Sequence, residues 1–312
     1  MASELLPGEL QSLIDLALSS ETPRLPWTEG PADKVPPTAS ELNQTRRKGI
    51  RWLNRNGKRF DRPEAVNLAA RVAQCKTGQR CLSGACPSCS GGMQRIMVEA
   101  SRNRREELQA DNRACVAVTI VAKGVRYGVN LIPDERMAKT GQLKERLERV
   151  LNKGDGHRAY GGVDLSLNKD ARIPGELKFD GPTFSTHWRP HLQVIMTEGS
   201  FDQVEYALKT EFPRQKLISR PVVRKVLDAS PSADAYLLKR LFEPQRHGRR
   251  ETYRKHRAET RSVMDTTRAV ALCVEERLDQ LIYLDQLGLN GRLVFVRCRL
   301  VLTENGPSIE VI

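Results

Sequence analysis

The spacing of apolar and polar residues divides the chain into a helical first part and a mixed second part. Up to residue 110 apolar positions recur at helical spacing, which predicts helices at about 1–20, 63–73 and 92–110. Thr38 and Glu41 form a capping-box pattern, so another helix is expected to begin there. Five prolines between Pro23 and Pro37 predict an extended linker before that helix.

Beyond residue 110 short segments alternate strictly between apolar and polar residues, a pattern typical of strands. Strands are predicted at 116–121, 163–168, 191–196, 222–227 and 293–302, and helices at 143–151, 201–208, 233–242 and 257–287. This mixture predicts an α+β fold with a central antiparallel sheet flanked by helices. Such a sheet is expected to keep one polar, functional face.

The charge balance favours a polyanionic partner. Lysine and arginine total 51 against 38 acidic residues, a formal net charge of +13. No apolar run approaches the roughly 18 residues that a membrane span needs, and the first residues lack the features of a signal peptide. We therefore expect a cytoplasmic protein that binds nucleic acid rather than a membrane.

Four of the seven cysteines, Cys75, Cys81, Cys86 and Cys89, lie close together in the sequence. Four thiolates complete a tetrahedral site that suits zinc, and with no position left open such a site is structural. An odd cysteine count with one tight cluster also fits a reducing compartment better than a disulfide framework. Cys115 is an alternative to Cys75 as the fourth ligand.

The predicted strand around His191 places two possible metal ligands on one face. Because side chains alternate along a strand, His191 and Gln193 point to the same side, while Leu192, Val194 and Met196 point to the other, into a core. An imidazole nitrogen and an amide oxygen can together bind a divalent cation such as Mg²⁺ or Mn²⁺. The same pattern also fits an exposed histidine that makes only hydrogen bonds.

The predicted helix at 233–242 carries Tyr236 on its polar face, one turn before Lys239. A tyrosine needs a nearby positive charge to act as a nucleophile, because its ordinary pKa is about 10. Lys239 can supply that charge or hold a phosphate. The alternative is an interfacial tyrosine beside a lysine whose stem lies along the surface.

The order of these motifs resembles that of the rolling-circle replication initiators and relaxases, the HUH endonucleases. In that family a Cys-rich module often precedes a His-hydrophobic-His metal motif and a Tyr-x-x-Lys nucleophile motif. Pro190-His191-Leu192-Gln193 and Tyr236-x-x-Lys239 stand in the same order, and the resemblance covers roughly residues 70–245. Gln193 replaces the second histidine of the plasmid-type motif, as in many initiators of small single-stranded DNA viruses.

The resemblance implies an RRM-like or ferredoxin-like nicking domain at 111–312, with basic C-terminal helices, after a segment and linker at 1–37 and a helical zinc module at 38–110. Tyr236 would attack a phosphate of a single-stranded or hairpin origin, assisted by Lys239 and by Mg²⁺ or Mn²⁺, and form a 5′-phosphotyrosine link. Asp164, or alternatively Glu243, would add an acidic metal ligand. The role of His187 is open.

The implied biological setting is a plasmid, phage or integrated mobile element whose replication also uses a host helicase and polymerase. We expect DNA contacts from the basic stretch that follows the tyrosine helix, unless that stretch is only a solvated helical face. Its candidate residues are Arg246, Arg249, Arg250, Arg254, Lys255 and Arg257. Tyr253, within the same stretch, is a rival nucleophile.

Two other functions fit the same residues. A DNA-binding protein of the same fold that has lost catalysis would explain Gln193. A zinc-containing RNA-binding module is the third possibility, but only 5% of residues are aromatic, which gives poor support for base stacking on a sheet.

Overall fold

The computed structural model describes most of the chain, in thirteen stretches. These are residues 5–19, 37–111, 113, 115–121, 127–128, 133–153, 157–170, 187–197, 201–214, 221–227, 247–256, 259–263 and 270–312. The predicted tyrosine helix lies outside the described residues, as does the predicted proline-rich linker except for its last residue, Pro37.

Seven helices are present in the described part of the chain. They are α1 Pro7–Ala17, α2 Ala39–Arg59, α3 Pro63–Gln74, α4 Pro87–Ala110, α5 Pro133–Asn152, α6 Phe201–Glu211 and α7 Val274–Arg292. The predicted capping box of α2 is confirmed, since the Glu41 backbone N–H donates to Thr38 Oγ1 at 3.3 Å and the Thr38 N–H donates to Glu41 Oε2 at 2.7 Å. No helix in the described ranges is both long and apolar enough to cross a membrane.

The described strands alternate with the later helices. They are β1 Cys115–Ile120, β2 Tyr127–Gly128, β3 Arg158–Asp170, β4 His187–Thr197, β5 Val222–Val226, β6 His247–His256, β7 Glu259–Val263, β8 Val270–Ala271, β9 Leu293–Val296, β10 Cys298–Thr303 and β11 Gly306–Val311. Five of them form an antiparallel sheet in the order β5-β1-β4-β3-β9. The predicted α+β class with a central antiparallel sheet is confirmed.

The other strands extend this sheet or stand apart from it. β6 pairs in parallel with the end of β3 and itself pairs with β7 and β8, while β2 pairs with β4. β10 and β11 form a separate hairpin.

The prediction of one long helix over 257–287 is wrong in its first half. The basic stretch forms β6 and β7, which pair through Thr252 with Val263 and through His256 with Glu259, and the helix begins only at Val274. Within the described residues, the basic stretch is therefore strand at 247–256 and 259–263, while the last part of the predicted helix is helical. Local sequence could not reveal this, because the strand pairing that favours the extended form depends on a partner segment.

Hydrophobic cores lie on both faces of the sheet. One contains Leu192, Val194 and Met196 of β4, as predicted, packed with α5 and α6. The larger core contains residues of α1, α3, α4 and α7 together with Tyr160 and Ile195 of the sheet. Tyr160 and Ile195 are cross-strand partners, and the hydroxyl groups of Tyr160 and Ser101 are hydrogen-bonded at 3.0 Å, which joins β3 to α4. Helices therefore pack against both faces, and the face that carries the polar residues Asp164, His191 and Gln193 is buried.

Candidate metal centre and the His191 cluster

The four clustered cysteines belong to one compact turn between two helices, residues 75–89, which we call the cysteine knuckle. Cys75 caps the end of α3, Cys86 precedes the first residue of α4, and Cys89 lies in the first turn of α4. Between them, the backbone bridge from Lys76 to Gln79 needs a tight turn, which Gly78 provides with φ of 73°. Local turn geometry therefore brings the sulfurs together.

The sulfur positions match a tetrahedral metal site. The Sγ atoms of Cys75 and Cys89 lie 3.4 Å apart, those of Cys81 and Cys89 3.7 Å, and those of Cys86 and Cys75 3.8 Å. Four sulfurs bound to zinc at about 2.3 Å stand about 3.8 Å from one another. The predicted ligands Cys75, Cys81, Cys86 and Cys89 are therefore together, and they could bind a metal such as zinc. Cys115, the alternative ligand, is a residue of β1 and not part of this group.

The sulfurs are crowded enough to change one another's acidity. Hydrogen bonds from the other three sulfurs, Cys81 first, lower the pKa of Cys75. The pKa of Cys89 is raised, chiefly because of its hydrogen bond with Cys75. A bound metal ion would remove the protons of these thiols.

Helix α1 holds the outer side of the knuckle. The Asp15 carboxylate accepts the Gly78 backbone N–H at 2.9 Å and pairs with Arg80 Nε at 2.5 Å. Burial acts to lower the pKa of Arg80, but the hydrogen bond and the charge of Asp15, together with Cys75, raise it overall. Arg80 is thus held charged beside the sulfurs, where it offsets thiolate charge.

The second candidate site, the His191 cluster, consists of Asp164, His191 and Gln193. Asp164 of β3 is the direct cross-strand neighbour of His191 of β4, and Gln193 is two residues along the same strand and the same face. Gln193 Nε2 donates to Asp164 Oδ2 at 2.9 Å, and the Leu165 backbone N–H donates to Asp164 Oδ1 at 2.7 Å. The three residues predicted as metal ligands therefore lie together.

All three residues of the His191 cluster are buried. Asp164 is 2%, His191 1% and Gln193 7% exposed. They share the sheet face of Tyr160 and Ile195, which is covered by α4 and α7. A divalent cation that assists phosphoryl chemistry needs open positions for water and substrate. Although the donor atoms suit Mg²⁺ or Mn²⁺, the closed arrangement does not fit a catalytic ion.

A buried arginine supplies positive charge near this cluster. Arg292, the last residue of α7, is 2% exposed, and its Nη1 donates to the Gly84 carbonyl in the cysteine knuckle at 3.1 Å. Burial lowers the pKa of Arg292 to about 10, while the negative charge of Asp164 opposes that change. Arg292 therefore lies within electrostatic range of the carboxylate and stays protonated at neutral pH.

The end of α7 and the cysteine knuckle are in close contact. The Leu289 N–H donates to the Leu82 carbonyl at 3.0 Å, and a Cβ added to Gly84 would stand 2.5 Å from the Leu284 carbonyl oxygen. Only a glycine fits this gap without displacement. The knuckle thus supports the helix that covers the His191 cluster.

Five predicted site residues belong to segments that the structure does not describe. Tyr236, Lys239, Glu243, Arg246 and Arg257 lie outside the described residues. The backbone of four others is described, in β6: Arg249, Arg250, Arg254 and Lys255.

Sequence reasoning missed Arg292 and Gly84. Arg292 looks like an ordinary basic residue at a helix end, a position where cations are common. Gly84 looks like one of several turn glycines. No local signal separates them from their neighbours, because their roles arise from contacts between distant segments.

Comparison of the chain with protein-family models, with curated proteins and with solved structures finds no match.

Proposed function

We propose that this chain is a cytoplasmic, zinc-containing DNA-binding protein related to the rolling-circle initiators, in which the metal site of the sheet has lost catalysis. The observation that carries the proposal is the closed His191 cluster, where Asp164 accepts a hydrogen bond from Gln193 and lies in the field of buried Arg292. The guanidinium of Arg292 would supply positive charge to Asp164 in place of a divalent cation. The net charge of +13 supports DNA as the partner.

In this proposal the cysteine knuckle binds one zinc ion and has a structural role. Four thiolates leave no coordination position for water or substrate. The knuckle also contacts α7 through Gly84 and Leu82, so that zinc would stabilise the cover over the His191 cluster.

The second candidate is the metal-dependent nickase of a plasmid, phage or integrated element. It is favoured by the convergence of Asp164, His191 and Gln193, which the motif resemblance groups as ligands. The Tyr236 oxygen would form a bond to phosphorus while the bond to the 3′-oxygen breaks, which leaves a 5′-phosphotyrosine and a 3′-hydroxyl. DNA could reach the buried cluster only if the helices that cover it moved away.

A cleavage assay separates the two functions. The wild type and a Tyr236→Phe variant are incubated with Mn²⁺ and a random-sequence single-stranded DNA library, and covalent adducts are sought on denaturing gels and by mass spectrometry. We expect equal DNA binding by both proteins and no adduct. A Mn²⁺-dependent adduct that maps to Tyr236 and is lost in Tyr236→Phe would overturn the proposal in favour of the nickase.

A binding comparison addresses the RNA alternative. DNA and RNA of one sequence, each single-stranded and duplex, are titrated with the wild type. We expect preference for DNA. If the protein binds RNA more tightly than DNA, both as single strands and as duplexes, a DNA-binding function is contradicted.

A further inference from the structure

Helix α2 presents a stripe of positive charge to solvent. Seven basic residues and no acidic residue lie between Arg46 and Arg59. Six of the seven are exposed: Arg47, Lys48, Arg51, Arg55, Lys58 and Arg59. At about 100° per residue these six fall within an arc of about 120°. They therefore lie on one side of the helix, and we call them the α2 basic stripe.

The side of α2 opposite to the stripe is buried, and this sets the direction in which the stripe faces. Leu42, Leu53, Asn56 and Gly57 are buried. Arg46, the seventh basic residue, donates from Nη1 to the Val72 carbonyl at 3.0 Å and so belongs to the contact with α3. The stripe must consequently face away from the core, over a length of about 18 Å at about 1.5 Å per residue.

The positive charges of the stripe are not neutralised by the described part of the protein. The ion pairs found there involve other basic residues, such as Arg62 with Asp279 and Arg80 with Asp15. The one acidic residue of α2, Glu41, lies in its first turn and serves the capping box. A row of six like charges repels itself, and a polyanion aligned with the helix relieves that repulsion.

We infer that the α2 basic stripe binds the phosphate backbone of duplex DNA. The stripe offers no exposed aromatic side chain on which an unpaired base could stack, since Trp52 is half-buried beneath Arg277, whose Cζ lies 4.7 Å from the ring centroid. Regularly spaced cations without a stacking platform suit the regular phosphates of a duplex. This inference rests on the proposed DNA-binding function and assigns it a surface outside the basic stretch at 246–257.

The test compares two variants of equal charge. The stripe variant carries Arg47→Gln, Arg51→Gln, Arg55→Gln and Lys58→Gln, which preserves helix propensity. The control variant replaces four exposed basic residues, one on α5, one just after α5, one after α6 and one on β5: Arg149→Gln, Lys153→Gln, Arg214→Gln and Lys225→Gln. Both lower the net charge by the same amount, and circular dichroism and thermal melts establish that both are folded.

Binding of a 30-base-pair duplex is measured over a range of salt concentrations. The slope of log K against log salt should become shallower by about 3.6 in the stripe variant, at about 0.9 for each phosphate that the protein no longer neutralises. The control variant should keep a slope close to that of the wild type. Equal slopes in the two variants would overturn the inference while leaving DNA binding intact.

Two further outcomes are distinguishable. If the wild type itself shows no salt-dependent DNA binding, the proposed function fails along with the inference. If the stripe variant binds DNA normally but loses binding to vesicles rich in phosphatidylserine, the stripe is a membrane surface and the inference is wrong.

Discussion

Asp164 and His191 lie directly opposite each other on β3 and β4, and both are almost fully buried. A carboxylate in such a place is stable only when hydrogen bonds and positive charge surround it. Gln193 and the Leu165 N–H provide the hydrogen bonds, and Arg292 provides the charge. The predictions below concern this arrangement and the cysteine knuckle that supports it.

A double-mutant cycle measures the coupling between Asp164 and Arg292. Both groups are buried and their charges interact. Removing one charge leaves the other uncompensated in the interior, which destabilises a protein by about 1–3 kcal/mol. We expect Arg292→Met and Asp164→Asn each to lower the free energy of unfolding by an amount of that order in urea titrations. In the double variant the free energy of unfolding should fall by clearly less than the sum of the two single-variant losses. If the two losses add strictly, the two residues do not interact.

The contact between the cysteine knuckle and α7 depends on Gly84. Because an added Cβ would stand 2.5 Å from the Leu284 carbonyl oxygen, Gly84→Ala should lower the free energy of unfolding by about 1–3 kcal/mol. Gly49→Ala in α2 is the matched control, since nothing lies within 4 Å of its Cβ. Alanine is the better helix former, so the control should gain up to about 1 kcal/mol. If Gly84→Ala leaves the free energy of unfolding unchanged, the knuckle and α7 are not in contact.

Zinc content tests the four-cysteine site. The wild type should contain one zinc per chain by elemental analysis, and Cys89→Ser should reduce that content and lower Tm, because a sulfur ligand is removed. Cys115→Ser alters a buried thiol of β1 and should retain the metal. If Cys115→Ser loses zinc while Cys75→Ser keeps its full zinc content, Cys115 and not Cys75 is the fourth ligand.

Two thiols outside the knuckle should differ sharply in reactivity. Burial raises the pKa of Cys298 from its ordinary value to about 12, so at pH 8 this thiol is protonated as well as inaccessible. Cys273 is exposed at the beginning of α7. Iodoacetamide followed by peptide mass spectrometry should label Cys273 in the native protein and Cys298 only in urea. Rapid native labelling of Cys298 would contradict its buried position.

Local patterns were enough to predict much of the fold. The capping box at Thr38 and Glu41, the alternating strand around Leu192 and the α+β class all follow from short-range rules, and the structure confirms them. The prediction failed at 259–263 and 270–271, where pairing with a partner segment produces strands instead of a helix. The burial of the sheet face of His191 was also beyond local patterns, because alternation shows which residues share a side but not what covers that side.

For the candidate sites, too, the sequence determined some features and the tertiary structure decided others. Sequence alone determined the cysteine group, since its spacing and turn glycines bring the sulfurs together locally, and it determined that His191 and Gln193 share a face. Only the tertiary structure decided that this face is closed and that Arg292, 128 positions after Asp164 in the chain, supplies the neighbouring charge. Burial and long-range electrostatics depend on which segments meet in space, and no local periodicity encodes that.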